Sequence, residues 1–243
     1  MISLIIDIGN SRTKIALFNE HDLMFNVPID RLSIDHLRML KDEHPQLIRA
    51  ILSSVKEKDV QLTEFLSSNF DLFIELDHTT PLPLENLYET PETLGKDRLA
   101  AAVGANELFP NRNLLIIDAG TAITYDLVTD SNQYLGGNIS PGLEMRFKAL
   151  NHFTGKLPLL KSAEDFPIIG KNTNEAIRSG VQNGMIYEIS QTIETFNRNY
   201  QNLMVIMTGG DSYFFDKKLN YSIFVNFNLT LIGLNRILDY NAK

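Results

Sequence analysis

Two carboxylates stand at matched places in this chain. Leu4-Ile5-Ile6-Asp7-Ile8-Gly9-Asn10-Ser11-Arg12-Thr13 aligns without gaps on Leu115-Ile116-Ile117-Asp118-Ala119-Gly120-Thr121-Ala122-Ile123-Thr124. In each copy an apolar run ends in Asp-x-Gly and a second β-prone run follows, Thr13 to Phe18 and Ile123 to Val128, which reads as a hairpin. A turn built from Gly9, Asn10 and Ser11 exposes backbone N–H groups and short polar side chains, and such a turn can wrap a phosphate chain as a nest does. Arg12 and Lys14 add positive charge. Asp7, at the strand end, can orient a Mg²⁺ ion or its waters. In the second copy Thr121 offers a hydroxyl and Asp118 can bind a cation, while the position aligned with Lys14 holds Tyr125. Either copy alone reads equally as a plain hairpin whose Asp caps its own turn. Their duplication favours a clamp on a nucleoside triphosphate.

Paired Asp-x-Gly turns also occur in pepsin-like proteases, where two carboxylates share one proton. Those turns carry a hydroxyl residue in the middle. Here the middle residues are Ile8 and Ala119, and Lys14 stands beside the first turn. The strong helical patterns of both halves also argue against that reading.

A third cluster, Gly95-Lys96-Asp97-Arg98, opens an Ala-rich helix that links the halves. Asp97 can accept the proton of an attacking hydroxyl as a general base. Arg98 can hold an anionic group with two parallel hydrogen bonds. The competing reading is an acid favoured by the helix dipole, with Arg98 in a surface ion pair. Two further runs of small residues, Gly136 to Gly142 and Thr208-Gly209-Gly210-Asp211, read as tight connections that let backbone or a planar base come close. The five histidines, at 21, 36, 44, 78 and 152, have no metal-ligand spacing.

The elements that must carry these residues follow a repeated order. Third strands are expected near Leu23 to Val27 and Tyr134 to Ile139. Ile34 to Glu43 reads as a helix, with Ser33 or Asp35 near its start. Gln46 to Ser53 reads as a strand, Val60 to Ser67 as a helix and Leu72 to Leu76 as a strand, and Pro81 and Pro83 break the chain after it. In the second half Asn174 to Asn199 spaces its apolar residues as a long helix, Leu203 to Met207 and Ile223 to Val225 read as strands, and Leu229 to Tyr240 as a closing helix. The pattern predicts a duplicated α/β architecture, residues 1–112 and 113–243, with a ligand cleft between the copies. The long helix carries more apolar positions than one face requires, among them Met185, Ile186, Ile189 and Ile193, which suggests a homodimer interface.

Composition narrows the partners. The chain of 243 residues has a net charge of -8 and no long basic run, so nucleic acid is not an expected partner. It has no cysteine, which excludes disulfides, thiolate metal sites and a cysteine nucleophile. No apolar run approaches the ~20 residues of a membrane span, and the N-terminus lacks a basic leader. The expected location is the cytoplasm.

Taken together the motifs resemble type III pantothenate kinases, members of the actin-like, acetate and sugar kinase superfamily. The resemblance rests on Asp7 to Lys14, Gly95 to Arg98, Asp118 to Thr121, Gly137 to Gly142 and Thr208 to Asp211, in the family's order across nearly the whole chain. It implies two ribonuclease H-like, actin-like ATPase domains with a central nucleotide cleft. It implies phosphorylation of pantothenate by ATP, the first step toward coenzyme A. Asp7, Ile8, Gly9, Asn10, Ser11, Arg12, Thr13, Lys14 and Thr121 would bind Mg-ATP, and Asp97 would accept the proton. Tyr88, Gly95, Lys96, Asp97, Arg98 and Thr173 would bind pantothenate. Asp118 would bind a monovalent cation, K⁺ or NH₄⁺, and the protein would be a homodimer with pantothenate near the interface. Ser11 departs from the family's usual Thr but keeps the hydroxyl. Two other functions fit the same residues, namely a non-catalytic ATP-binding regulator and a kinase of another small hydroxy acid.

Overall fold

The computed structural model describes residues 1–10 and 12–242. Ser11, an expected phosphate contact, lies outside the described residues. β1 (Ile2–Ile8), β2 (Thr13–Asn19) and β3 (Asp22–Ile29) form an antiparallel meander, followed by α1 (Ile34–Glu43), β4 (Leu47–Ser54), α2 (Val60–Asn69) and β5 (Leu72–Glu75). A two-residue β6 (Glu85–Asn86) and a 3-10 turn at Pro91–Thr93 lead to α3 (Lys96–Leu108). β7 (Leu114–Ala119), β8 (Ala122–Val128) and β9 (Gln133–Pro141) then repeat the meander. They are followed by α4 (Leu143–Phe153), α5 (Thr173–Asn199), β10 (Met204–Thr208), α6 (Ser212–Asp216), β11 (Ile223–Val225) and α7 (Leu229–Tyr240).

The first sheet runs β3-β2-β1-β4-β5 and the second β9-β8-β7-β10-β11, the same order, with β6 beyond β9. In both, the strand after the meander lies parallel beside the meander's first strand. The repeat read in the sequence is therefore a repeat of topology.

Packing groups Met1–Pro110, Asn132–Tyr134 and the residues from Asn228 onward into one unit, and Asn111–Ser131 with Leu135–Phe227 into another. A division near residue 112 assigns the last helix to the second half, whereas α7 packs in the first unit along α3. The cause is a crossing that only glycine permits. A Cβ on Gly104 would lie 2.2 Å from the Leu229 carbonyl oxygen, and one on Gly233 would lie 1.7 Å from that of Ala100.

In the first unit, strand alternation sorts β1 between two faces. Ile2, Leu4 and Ile6 join Leu37 of α1 and Leu62 and Leu66 of α2 in one core. Ser3, Ile5 and Asp7 fall on the other face, where α7 crosses β1 and β4. There Arg49 bridges Asp239 of α7 at 2.9 Å and donates to the buried Ser3 hydroxyl at 3.0 Å. α1 starts at Ser33, one of the two residues its sequence offered, where Ser33 and His36 cap each other's backbone N–H.

The second unit has its own core under β7, β8 and β10. Met185, Ile189 and Ile193 of α5 are buried in it and Ile186 packs against it. These four residues therefore do not argue for a subunit interface. The surplus of apolar positions exists because α4, the sheet and residues 157–160 cover several sides of this helix. No helix among the described residues is long and apolar enough to cross a membrane.

Candidate active site

The first hairpin turns tightly, with the Gly9 N–H donating to the Arg12 carbonyl at 3.0 Å. Asp7 lies opposite Lys14 and Ile8 opposite Thr13. Asp7 keeps some exposure, yet the protein around it raises its pKa to about 6, chiefly by desolvation. Lys14 opposes that rise and the carboxylate of Asp97 adds to it. Ser53, the parallel neighbour of Asp7 on β4, favours the charged form. Its buried hydroxyl has no partner of regular hydrogen-bond geometry. The structure thus brings Asp7, Lys14 and Asp97 into one electrostatic neighbourhood, the first two by cross-strand pairing and Asp97 from the first turn of α3.

Asp97 sits in the first turn of α3, where its Oδ1 accepts the Arg98 backbone N–H at 2.9 Å. Gly95 leaves room for that carboxylate, since a Cβ there would lie 2.6 Å from Asp97 Oδ1. Arg98 is buried rather than on the surface, and its guanidinium lies 5.8 Å from the centre of the Tyr88 ring. Tyr88 is placed in turn by Tyr134, and its backbone N–H donates to Asn86 Oδ1 at 3.1 Å. Lys96 lines a cavity of about 300 Å³ with Ile8, Thr13, Arg31, Ser54 and Lys56. The Val55 N–H donates to the Ile8 carbonyl at 3.1 Å, which draws the loop after β4 against the hairpin. Sequence reading missed that loop because only strand pairing brings it there.

The second hairpin has a shorter tip. Asp118 lies opposite Thr124 and Ala119 opposite Ile123. The counterpart of Lys14 across the strands is therefore Thr124, and Tyr125 points into the core beneath, 2% exposed. This corrects the ungapped alignment, which holds along β7 and slips one residue at the turn. Glycines crowd this tip. A Cβ on Gly142 would lie 2.2 Å from the Gly120 carbonyl oxygen, and one on Gly209, whose φ is +92°, would lie 2.4 Å from Asp118 Oδ1. The Asp211 N–H donates to the Ala119 carbonyl at 2.9 Å. Burial, and then the charge of Glu144, hold the pKa of Asp211 above its ordinary value. Asp211 lines a cavity of about 410 Å³ with Glu144, Phe147, Lys148 and Lys161. Thr121 is exposed at the tip. Thr173, exposed at the start of α5, lines a different surface, an apolar groove of about 850 Å³ with Leu150, Phe153, Ile177 and Gly180.

No three acidic or histidine side chains among the described residues form a metal cage. The oxygens of Asp7 nevertheless suit Mg²⁺, which is held through one or two carboxylates and completes its shell with phosphate oxygens and water. Its raised pKa means that a cation there would relieve an unfavourably buried charge.

The family model for type III pantothenate kinase matches residues 3–195. A type III pantothenate kinase of Phocaeicola vulgatus is 48% identical over 242 residues, covering 100% of both chains. One from Bacteroides fragilis is 46% identical, covering 99% of this chain and 98% of its own. Among solved structures, one titled a conserved putative Baf family transcriptional activator, from Campylobacter jejuni, superposes with a TM-score of 0.62 at 23% identity, covering 98% of each chain. A putative N-acetylmannosamine kinase from Listeria monocytogenes gives 0.60 at 10% identity over 100% of each. The latter likeness, with the duplicated sheet order, shows a two-domain ribonuclease H-like fold. On full-length identity and the matched family model, the chain belongs to the type III pantothenate kinase family.

Proposed function

We propose that the chain transfers the terminal phosphoryl group of ATP to the primary hydroxyl of pantothenate, forming 4'-phosphopantothenate at the first step of coenzyme A biosynthesis. The observation that carries this reading is the convergence of Asp7, Lys14 and Asp97 in a chain of that family. Cytoplasmic location follows, since ATP is the donor. The chain reads as two duplicated halves that divide near residue 112, with α7 contributed to the first.

Phosphoryl transfer needs positioning and charge neutralisation more than covalent help. The hairpin from Asp7 to Lys14 holds the phosphates: the turn with Gly9 and Asn10 presents donors, Arg12 and Lys14 supply charge, and Ser11, outside the described residues, is the further expected contact. Mg²⁺, carried by Asp7 and the phosphate oxygens, supplies further neutralisation when bound. Thr121 donates from the second tip, and the turn of Gly209 and Gly210 lies beside the adenosine, with the cavity at Asp211 as its support. Asp118 holds K⁺ or NH₄⁺, which is supported by its place at the end of β7, matching that of Asp7 at the end of β1. Arg98 and Tyr88, which lie against each other, bind the acceptor with Gly95 and Lys96. Asp97, one oxygen occupied by the Arg98 N–H, takes the hydroxyl proton on the other. The acceptor oxygen bonds to the γ-phosphorus, the bond from that phosphorus to the bridging oxygen breaks, and ADP leaves.

The protein acts as a homodimer with pantothenate near the interface. Support comes from the exposed apolar groove of α4 and α5, which Thr173 borders and Phe153 flanks at 82% exposure. A sedimentation experiment that finds a fully active monomer at micromolar concentration would remove this part. The reaction is tested by following ADP release against a panel of small hydroxy acids. Pantothenate should be used well above the others, and ATP binding without ADP release for any of them would leave a regulatory protein instead.

A further inference from the structure

Behind the second hairpin a ring of hydrogen bonds closes on itself. The Tyr125 hydroxyl donates to Glu188 Oε1 at 3.0 Å. Arg146 donates to Glu188 Oε2 at 2.5 Å and to the Ser140 hydroxyl at 3.0 Å, and its Nε donates to the Pro141 carbonyl at 2.8 Å. The next residue, Gly142, gives its N–H to the Thr121 carbonyl at 3.2 Å. The path leaves the hairpin at Tyr125, on β8, and returns to its tip at Thr121. Four elements, β8, α5, α4 and β9, contribute to it.

The ring joins parts with little freedom to slide. Gly142 has no room for a side chain against Gly120 and Thr121, and Gly137 has none against the Tyr125 carbonyl. A displacement of the end of β9 is therefore transmitted to the tip. Glu188 is the residue at which the ring is held together, since one of its oxygens takes the phenol and the other the guanidinium. Its contact with Arg146 is charge-assisted, the stronger kind of hydrogen bond. The Tyr125 ring is buried and the side chains of Arg146 and Glu188 are only 21% and 29% exposed. Burial and the charge of Glu188 keep the phenol protonated and so a donor.

The first hairpin shows why such a brace has a use. There an ammonium stands across the strands from the carboxylate, Lys14 opposite Asp7. The second copy has Thr124 opposite Asp118, and its tip is closed by a short Gly120 N–H to Ala122 carbonyl bond of 3.0 Å. We propose that Glu188 is a positioning residue for the nucleotide: through Tyr125 and Arg146 it fixes the tip that carries Thr121. The inference rests on the reading that this tip contacts ATP.

The test is steady-state kinetics in both substrates for Thr121→Ala, Glu188→Ala, Glu188→Gln, Tyr125→Phe and the Glu188→Ala/Thr121→Ala double variant. Glu188→Ala should raise KM for ATP roughly tenfold, the size of one lost bond to a charged group, with kcat and the pantothenate KM within about twofold. Glu188→Gln keeps one acceptor oxygen for Arg146 and can turn its amide N–H toward the phenol oxygen, so it should restore part of the ATP KM. In the double variant the Glu188 change should add little to the loss from Thr121→Ala, as for residues acting through one contact. If Glu188→Ala does not fold, Tyr125→Phe keeps the ring in the core and should shift the ATP KM in the same direction by less. If Thr121→Ala weakens ATP use while Glu188→Ala and Tyr125→Phe leave it intact, the positioning role is overturned and the hairpin reading stands. If Thr121→Ala is itself silent, that reading falls and takes this one with it. Equal losses in kcat and in both KM values for Glu188→Ala, unrepaired by Gln, would mean a scaffold role and also overturn the proposal.

Discussion

Asp7 lies directly opposite Lys14 across the first hairpin, and the ammonium does not offset the burial of the carboxylate, whose pKa rises to about 6. The folded state therefore binds this proton more tightly than the unfolded chain does. Stability attributable to Asp7 is present at low pH and is lost as the pH rises from the ordinary value of 3.8 through about 6. Without nucleotide or metal, Asp7→Asn should be more stable than the parent at about pH 7.5 and gain nothing near pH 4, because only the ionised acid is unfavourable. Urea denaturation at the two pH values checks this. The same variant should use Mg-ATP poorly, so that stability and activity move in opposite directions.

Asp97 and Gly95 offer a paired test of the base. Asp97→Asn keeps shape and hydrogen bonding but cannot take a proton, so turnover should fall roughly 10²–10⁴-fold. ATP affinity, read by calorimetry, should stay near that of the parent. Gly95→Ala places a methyl group 2.6 Å from Asp97 Oδ1, and the obstructed atom is the end of a side chain that can rotate away. Melting temperature should barely change while turnover drops. Near-normal turnover in Asp97→Asn would send the proton elsewhere.

With Mg-ATP present, activity should rise strongly when K⁺ or NH₄⁺ replaces Na⁺. Asp118→Asn should abolish the difference, because the tip would lose the charge assigned to hold the ion. Equal rates in the three salts would remove Asp118 from that role.

The crossing of α3 and α7 should tolerate no added methyl. In Gly233→Ala the new atom meets backbone at 1.7 Å, and in Gly104→Ala at 2.2 Å, so neither neighbour can rotate away. Each substitution should destabilise by about 3 kcal/mol or more, or prevent soluble expression. Gly184→Ala in α5 is the control: nothing lies within 4 Å of its added carbon. It should be neutral or stabilise by up to about 1 kcal/mol, from helix propensity. Denaturation midpoints of the three variants decide the matter.

Local signals located most elements. Ser33 marked the start of α1, and the apolar runs at Asp7 and Asp118 became the central strands of the two sheets. What escaped was set by distant residues. β6 exists because Glu85 and Asn86 find Gln133 and Tyr134, which no local pattern announces. The one-residue slip at the second tip depends on loop length, to which the apolar periodicity is blind. The apolar surplus of α5 looked like an interface, since sequence cannot tell a helix covered within its own unit from one covered by a partner. At the site, Asp7 and Asp97 were each legible as carboxylates of interest. Their electrostatic coupling follows from strand parity and the path of α3.

The place of α7 has a consequence for synthesis on the ribosome. Strands β1 to β5 emerge first, yet the helix that crosses β1 and β4 follows every other described element in chain order. The residues of the second unit are translated in between, which at about 5–20 residues per second takes on the order of ten seconds. Throughout that interval the face bearing Ser3 and Ile5 lacks α7, and Gly104 faces no Leu229. The first unit thus completes its packing only after the residues of the second unit and α7 itself have been made.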